Sequence, residues 1–515
     1  MTRTVTHSHP RAKYLIGAAI LGIVGLLATA CGSPSSKAAA GGSDLLTVAE
    51  TTGPTTLDPQ ASAYMADRFA WSLSYECLLN TTPTGTVVPA LAASYSAAAD
   101  RKAYTFKLRS GVKFQNGEPM TPADVVYTFE RLLKGTQGIA TELFPTLKSV
   151  AANGSDSVTF TLSSPDAGFV NNMANPLVWG CAILSKKAGE SANLGLKMVG
   201  TGPWTQSSYQ SNVELKMTRF TDYWGKKTAV KDLDVLYVPN ASTQVSDLNA
   251  GKVDLILTDG SHAKSLSDSA KVAVTKIVSD STVFLQINNL SKPFDNQLVR
   301  QALALAVNRD ELASKAYQGA ATASVYVPPG SDWAPSPDKL VNSQQDVAKA
   351  KALLAQAGYP NGFSTSLMYI SGYDPGTNDL NAQLQSQLAA VGIKVKLEPL
   401  QVATWGDKLV KANYALSWNA QSYYSNPYQY VQPAEGRQGP VPASLQALLD
   451  SALKADSVSA YQAAIVAIEK EEATLVYPTI TLLAMDTFVA YNKHLGEVSV
   501  PSSLTRQFLA AVTNG

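Results

Sequence analysis

An α/β protein built on more than one sheet is predicted, and three observations predict it. Strand-like alternation and helical spacing interleave along the chain from Leu45 onward, the pattern of mixed layers. Roughly 470 residues follow the N-terminal leader, too many for a single hydrophobic core, so at least two lobes are expected. Apolar residues make up 45% of the chain and charged residues 16%, a composition that folds rather than staying disordered. No tandem repeat is visible.

The elements follow in order. Leu45 to Ala49 reads as a strand, Thr56-Leu57-Asp58-Pro59 as a loop, and Ala70 to Leu79 as a helix. Tyr104 to Leu108 alternates, and Val112 to Phe114 extends it into the favoured turn Asn116-Gly117. Thr121-Pro122-Ala123-Asp124 starts a helix, with Thr121 as N-cap, Pro122 at the first position and Asp124 as the reciprocal cap. Strands are expected at Val158 to Leu162, Val213 to Thr218, Leu233 to Val238, Val253 to Leu257 and Val283 to Ile287, with a tight turn at Gly200 to Trp204. One helix is read from Asn296 to Tyr317, because Val299, Leu303, Ala306 and Val307 share a face. A second runs from Asp346 to Ala357, capped by Asp346 and stopped by Gly358. A strand at Ser364 to Tyr369, a helix at Asn378 to Val391 and a strand at Ile393 to Pro399 continue the alternation.

The N-terminus differs from the rest. Met1 to Lys13 carries Arg3, Arg11 and Lys13 and no acid, and Tyr14 to Ala30 is apolar and uncharged. A positive head, a short apolar run and small residues before a cut site make a secretory signal, residues 1–30. A membrane-crossing helix needs roughly 20 apolar residues, more than this run supplies. Leu27-Ala28-Thr29-Ala30-Cys31 resembles the bacterial lipobox, with Ala28 where leucine is usual; the resemblance implies a lipid on Cys31. Residues 31–43 are then the lipidated cysteine and a flexible Gly/Ser-rich linker. Removing Arg3, Arg11 and Lys13 from 41 basic residues leaves 38 against 40 acids, a net charge of −2. That near-neutral balance gives no electrostatic case for nucleic acid. Cys77 and Cys181 remain as an even pair, either bonded or two buried thiols.

The segments above, taken in order, resemble the family 5 extracytoplasmic solute-binding proteins of peptide- and nickel-type ABC importers. Matching stretches include Thr56 to Pro59, Tyr75-Glu76-Cys77-Leu78-Leu79, Tyr104 to Arg109 and Gly111 to Pro119. They continue through Thr121, Asp124-Val125-Val126, Gly200 to Trp204, Asp222-Tyr223-Trp224-Gly225 and Gly251-Lys252-Val253-Asp254. Val299 to Leu303, Asn308-Arg309, Ala350 to Leu354 and Ala357 to Pro360 complete the set. Each is weak alone; a dozen in the right order are specific. The resemblance implies a type II periplasmic-binding-protein-like fold: lobe I at 44–285 plus 482–515, with an extra subdomain at about 72–190, and lobe II at 286–481. Two crossing segments are implied near Gln286 to Asn289 and Pro478 to Leu483, with Asn288 and Asn289 at the hinge. Arg300 and Arg309 are expected in structural ion pairs.

Specificity is expected in Trp418-Asn419-Ala420-Gln421-Ser422-Tyr423-Tyr424-Ser425-Asn426-Pro427. Peptide-binding members resembling this stretch carry an aspartate that grips the peptide's α-amino group. Gln421 stands there instead, and no carboxylate occurs between Asp407 and Glu435. The ligand set implied is Trp418, Asn419, Gln421, Tyr423, Tyr424 and Trp405, with Trp405, Trp418 and Tyr424 as an aromatic platform. Tyr64 and Asp67 join from lobe I, and Asp67 is a replacement amine anchor. A neutral amide-and-aromatic pocket suits sugars or blocked, modified or otherwise uncharged ligands, while the resemblance implies a peptide or peptide-like solute, with an oligosaccharide or other uncharged ligand as the alternative.

Only His262 and His494 lie outside the leader, and no zinc spacing, nucleophile elbow or phosphate-cradling loop is present, so no enzyme, metal or cofactor is expected. The implied partners are the ligand, a permease with its ATPase, and the membrane through the lipid, for a monomer outside the cytoplasm. A sensor that presents ligand to a signalling receptor is the rival role.

Overall fold

In the computed structural model the chain divides into two units, Met1–Gly41 and Gly42–Gly515. The residues described are 44–496 except 63–64, 83–85, 136–142, 175–179, 192, 228–229, 325–334, 336, 372, 374–375, 422–427 and 429–438, all within the second unit. The leader, Cys31, Tyr64, Tyr423 and Tyr424 therefore lie outside the described residues.

The chain opens with β1 (Leu45–Glu50) and a helix at Met65–Ser74, one turn earlier than the apolar spacing suggested. Short strands β2 (Leu79–Thr81) and β3 (Val87–Pro89) pair with each other. Four strands then make a separate antiparallel sheet in the order β4-β5-β7-β6: β4 (Ala92–Ala97), β5 (Ala103–Leu108), β6 (Leu147–Asn153) and β7 (Ser157–Leu162). Phe106, Phe129, Phe144, Phe160 and Phe169 pack edge-on or tilted between this sheet and the helix Pro122–Lys134. That helix starts as read: the Asp124 carboxylate accepts from the Thr121 amide (2.9 Å) and hydroxyl (2.8 Å).

The large sheet gathers β8 (Trp204–Gln210), β9 (Glu214–Arg219), β10 (Asp232–Tyr237), β11 (Leu255–Thr258), β12 (Val272–Ile287), β13 (Ala321–Ala323), β14 (Phe363–Ile370), β15 (Ile393–Leu400), β16 (Leu416–Gln421) and β17 (Thr479–Asn492). Its order is β15-β14-β16-β12-β17-β11-β1-β10-β9-β8, with β13 beside β17. Two long strands run through both halves. Ile277 of β12 and Val489 and Tyr491 of β17 belong to a core shared with β1, β10 and the four-stranded sheet. Val283, Leu285 and Ile287 of β12, with Ile480, Leu482 and Leu483 of β17, belong to a second core with β14, β15 and β16. Between them the β12–β17 pairing changes register, between Val278 and Thr282.

Asn296 to Tyr317 is not one helix. It forms two, Gln297–Leu305 and Arg309–Ala316, because the Asn308 side chain accepts from the Glu311 amide (3.0 Å) and caps a new start. Among the described residues Arg300 and Arg309 make no ion pair, contrary to expectation. Arg300 donates to the carbonyls of Val476 and Phe294, and Arg309 to those of Thr481 and Ser343. A further helical pair, Ala443–Leu453 and Val458–Leu475, has its own small core with Tyr477. It meets the region after β7, where the Ala167 amide donates to Leu453 O (2.9 Å), and the turn between β4 and β5, where Arg101 donates to Asp456 O.

Candidate functional site

The motifs spread along the first half converge on one half-buried carboxylate. Glu76 accepts from the Thr201 hydroxyl (2.9 Å), the Tyr223 hydroxyl (2.8 Å) and the Trp224 indole (2.8 Å). Arg109 stacks over the Trp224 ring at 4.6 Å. Burial outweighs these donors and pushes the Glu76 pKa up to about 7. Beside it Gln115 staples the turn at Gly200: its carbonyl accepts from the Gly200 amide (3.1 Å), and its amide donates to Gly202 O (3.1 Å) and Trp204 O (2.7 Å). Only glycine fits at 200, since a Cβ would sit 1.9 Å from Ser74 O. Trp204 is buried in this core. Cys77 and Cys181 are joined as a disulfide under the same cluster, with Cα atoms 5.2 Å apart.

The segment expected to write specificity is β16 with the residues after it. β16 pairs with β12 in the second half, Trp418 opposite Leu285, Asn419 opposite Phe284 and Gln421 opposite Thr282. Gln421 thus ends its strand opposite Thr282, which lies between the two register changes of the β12–β17 pairing, at Val278/Thr282 and at Val283/Phe284. Period-2 alternation splits the expected aromatic platform. Trp418 points into the second core and is fully buried, its indole nitrogen without a hydrogen-bond partner and the Tyr373 ring edge-on at 5.0 Å. Trp405 lies against the other face of β16, donating to the Ser417 hydroxyl (3.0 Å) and packing beside Met368, Leu409 and Tyr414. One ligand face cannot be built from both rings.

Asn419 shares the Ser417 face, and its amide donates to Gln286 Oε1 (3.1 Å), while Gln286 donates to the Tyr414 hydroxyl (3.0 Å). Asp67 does not serve as a free anchor. It is fully buried, and its two oxygens accept from the Thr55 amide (2.6 Å) and hydroxyl (2.7 Å), tying down the first loop. Asn288 is locked too, its amide donating to Ala412 O (3.0 Å) and Tyr414 O (2.8 Å). Asn289 keeps a buried side chain without partners. The irregularity of the crossing strand falls earlier, between Val278 and Thr282. There sits a group the sequence did not flag: Asp486 of β17, buried and paired with Lys276 of β12 (2.5 Å), with the Thr322 hydroxyl also at its oxygens (3.4 and 3.3 Å).

One constellation has the outline of a hydrolase relay. Ser242 Oγ lies 3.2 Å from His262 Nε2, and His262 Nδ1 lies 2.7 Å from Asp259 Oδ2. Asp259 is the N-cap of the helix Gly260–Leu266, accepting from the Ser261 and His262 amides (2.9 and 3.0 Å), and Ser242 is exposed. Helix capping accounts for the geometry. Among the described residues no group of three or more His, Cys, Asp or Glu is placed to hold a metal.

Against known proteins, the family model for the middle region of bacterial extracellular solute-binding proteins, family 5, matches residues 86–439. The chain belongs to that family. Heme-binding protein A of Haemophilus influenzae is 32% identical over 337 residues, 60% of this chain and 61% of that protein. The dipeptide-binding protein of Escherichia coli is 29% identical over 358 residues, 64% and 66% of the two chains. The match thus spans less than two thirds of the length of either relative. Among solved structures, the binding protein AgaA of Agrobacterium tumefaciens in complex with agropinic acid superposes with a TM-score of 0.72 at 25% identity, covering 91% of this chain and 97% of that one. The fold is therefore that of the type II periplasmic binding proteins, as the motifs implied. Members of family 5 are known by ligands as different as heme and dipeptides.

Proposed function

We propose that the chain is the solute-capturing lipoprotein of an ABC importer, held outside the cytoplasm by a lipid on Cys31. It takes up a peptide or peptide-like solute that it does not grip by a free α-amino group. In this reading lobe I is 44–285 plus 482–515 and lobe II 286–481, and β12 and β17 are the connections on which they close. The carrying observation is the position of Gln421: its strand ends where β12 passes between the cores, at the place a cleft residue would occupy. A neutral amide there offers no counter-charge to an ammonium. Two acids considered for that task are engaged, Asp67 by Thr55 and Asp486 by Lys276. Hinge closure buries the solute, and the closed form docks on the permease, which distinguishes it from empty protein by population shift.

The test is a thermal-shift screen of matched free and N-acetylated di- to pentapeptides alongside oligosaccharides. A ligand at 100 times its Kd stabilises by about 2.7 kcal/mol, well within detection. N-acetylated peptides should stabilise at least as well as free ones. Stabilisation by free peptides alone would refute the reading of Gln421, and stabilisation by oligosaccharides alone would move the cargo to sugars. For the tether, labelling with an alkynyl fatty acid should mark the wild-type chain and not Cys31→Ser.

A further inference from the structure

A cavity of about 60 Å³ lies within the second core, walled by the helix Val458–Leu475 and the start of β17. Glu472 lines it with both carboxylate oxygens buried and without a hydrogen-bond partner. The hydroxyls of Thr479 and Thr481 line the same space from β17, and they too are buried and unpartnered. A buried carboxylate left alone costs several kcal/mol, so such groups are paired, neutralised or bound to a cation. Burial, reinforced by the neighbouring charge of Glu469, pushes the Glu472 pKa well above its ordinary range, and no cation acts on it to lower it.

Arg309 also lines the cavity but makes no bond to Glu472: its Nε donates to Thr481 O (2.8 Å) and its Nη1 to Ser343 O. Protonation would remove the charge of Glu472 and let it donate to one of these hydroxyl oxygens, leaving the others without a partner. A cation bound by the carboxylate and both hydroxyls gives the oxygens of Glu472, Thr479 and Thr481 a partner together. We propose that this cavity is a site for a monovalent cation, Na⁺ or K⁺, held between the Glu472 carboxylate and the hydroxyls of Thr479 and Thr481.

The donor set is all oxygen, which selects a hard cation over a soft transition metal. The formal charges of Glu469, Glu472 and Arg309 on the cavity lining sum to one negative charge, which one monovalent ion balances, and among the described residues no group of three or more His, Cys, Asp or Glu comes together as a divalent ion would favour. The cavity has room for an ion with one or two waters completing its shell. The bound ion fastens the helix Val458–Leu475 to the foot of β17, the strand that runs on into the other core. This inference does not depend on the nature of the solute.

The experiment is thermal unfolding of the full chain at pH 7.5 and constant ionic strength, replacing N-methyl-D-glucamine chloride stepwise by NaCl or KCl. The midpoint should rise and saturate, by roughly 2 °C at ten times the half-saturating concentration. Glu472→Gln should abolish the response, and the milder Thr481→Val should shift half-saturation to higher salt if the glutamine variant folds poorly. Sodium-23 line broadening should appear with the wild-type chain and be competed by K⁺. Equal midpoints in all three salts would overturn the proposal. So would a response confined to Ca²⁺, or one that persists undiminished in both variants.

Discussion

Glu76 should make the stability of the first core fall as pH rises from mildly acidic to neutral. Its carboxyl is partly buried, and desolvation raises its pKa to about 7 from the ordinary 4.5. The folded protein therefore keeps a proton that the unfolded chain gives up. The stabilisation is complete below pH 4.5 and is lost as pH rises through 7. A difference of about 2.5 units at about 1.4 kcal/mol per unit amounts to roughly 3 kcal/mol across that window. The perturbation is Glu76→Gln, which keeps the shape and cannot ionise, at the cost of an amide NH₂ facing donors at Thr201, Tyr223 and Trp224. The variant is expected to be less stable than wild type at pH 5 and to close most of the gap by pH 8. Urea unfolding at pH 5, 6, 7 and 8 measures this, and Trp224 fluorescence reports the site, because its indole donates to the titrating oxygen. Parallel pH profiles for wild type and variant would refute the reasoning. Asp166, raised by burial to about 6, has the same sign and belongs to both profiles, so it cancels in the difference.

Replacing Cys77 and Cys181 together by serine opens a closed loop of 104 residues and should cost about 4.7 kcal/mol by chain entropy; denaturant unfolding with and without reductant checks it. Gly200→Ala should prevent folding or cost more than about 4 kcal/mol, because the methyl group meets Ser74 O; expression and circular dichroism will show it. Arg101→Ala removes the contact to Asp456 O and should loosen the join between the helical pair and the four-stranded sheet, at the turn between β4 and β5. A larger radius of gyration without ligand in small-angle scattering is the expected result, and an unchanged one counts against that join as a clasp.

Local signals were legible where a residue acts on its own turn of chain. Thr121 with Asp124, Asp346 at the next helix and Gly358 at its end do what their types dictate. The family motifs also marked the fold, although their roles became clear only once Glu76, Thr201 and Trp224 met in space. The features hidden from the sequence are non-local. An apolar stripe from Val299 to Val307 looks continuous, and only the Asn308 cap divides it. Trp405 and Trp418 are both aromatic near one strand, but which face each takes depends on the register of β16. Asp67 has the composition of an anchor and the partners of a loop staple. Lys276 and Asp486 lie far apart in sequence and meet only through strand pairing.

The motifs that carry the family resemblance are spent on scaffold: the Glu76 cluster, the Gly200 turn, the helix caps and the carbonyl-bound arginines. Relatives described as binding heme or dipeptides can share such a scaffold because it holds the lobes and leaves the solute to other residues. If ligand class is set by few positions, a single charge at the end of β16 should move it. Gln421→Asp places a carboxylate where the strand leaves the second core. A charge-assisted bond to an ammonium is worth about 1.5–3 kcal/mol, so free dipeptides should bind roughly 10- to 100-fold tighter than to the wild-type chain. N-acetylated dipeptides, which have no ammonium to offer, should gain nothing or bind more weakly. Calorimetric titration of both ligand forms separates these outcomes. An equal change for free and blocked peptides would mean that position 421 acts through packing and not through charge.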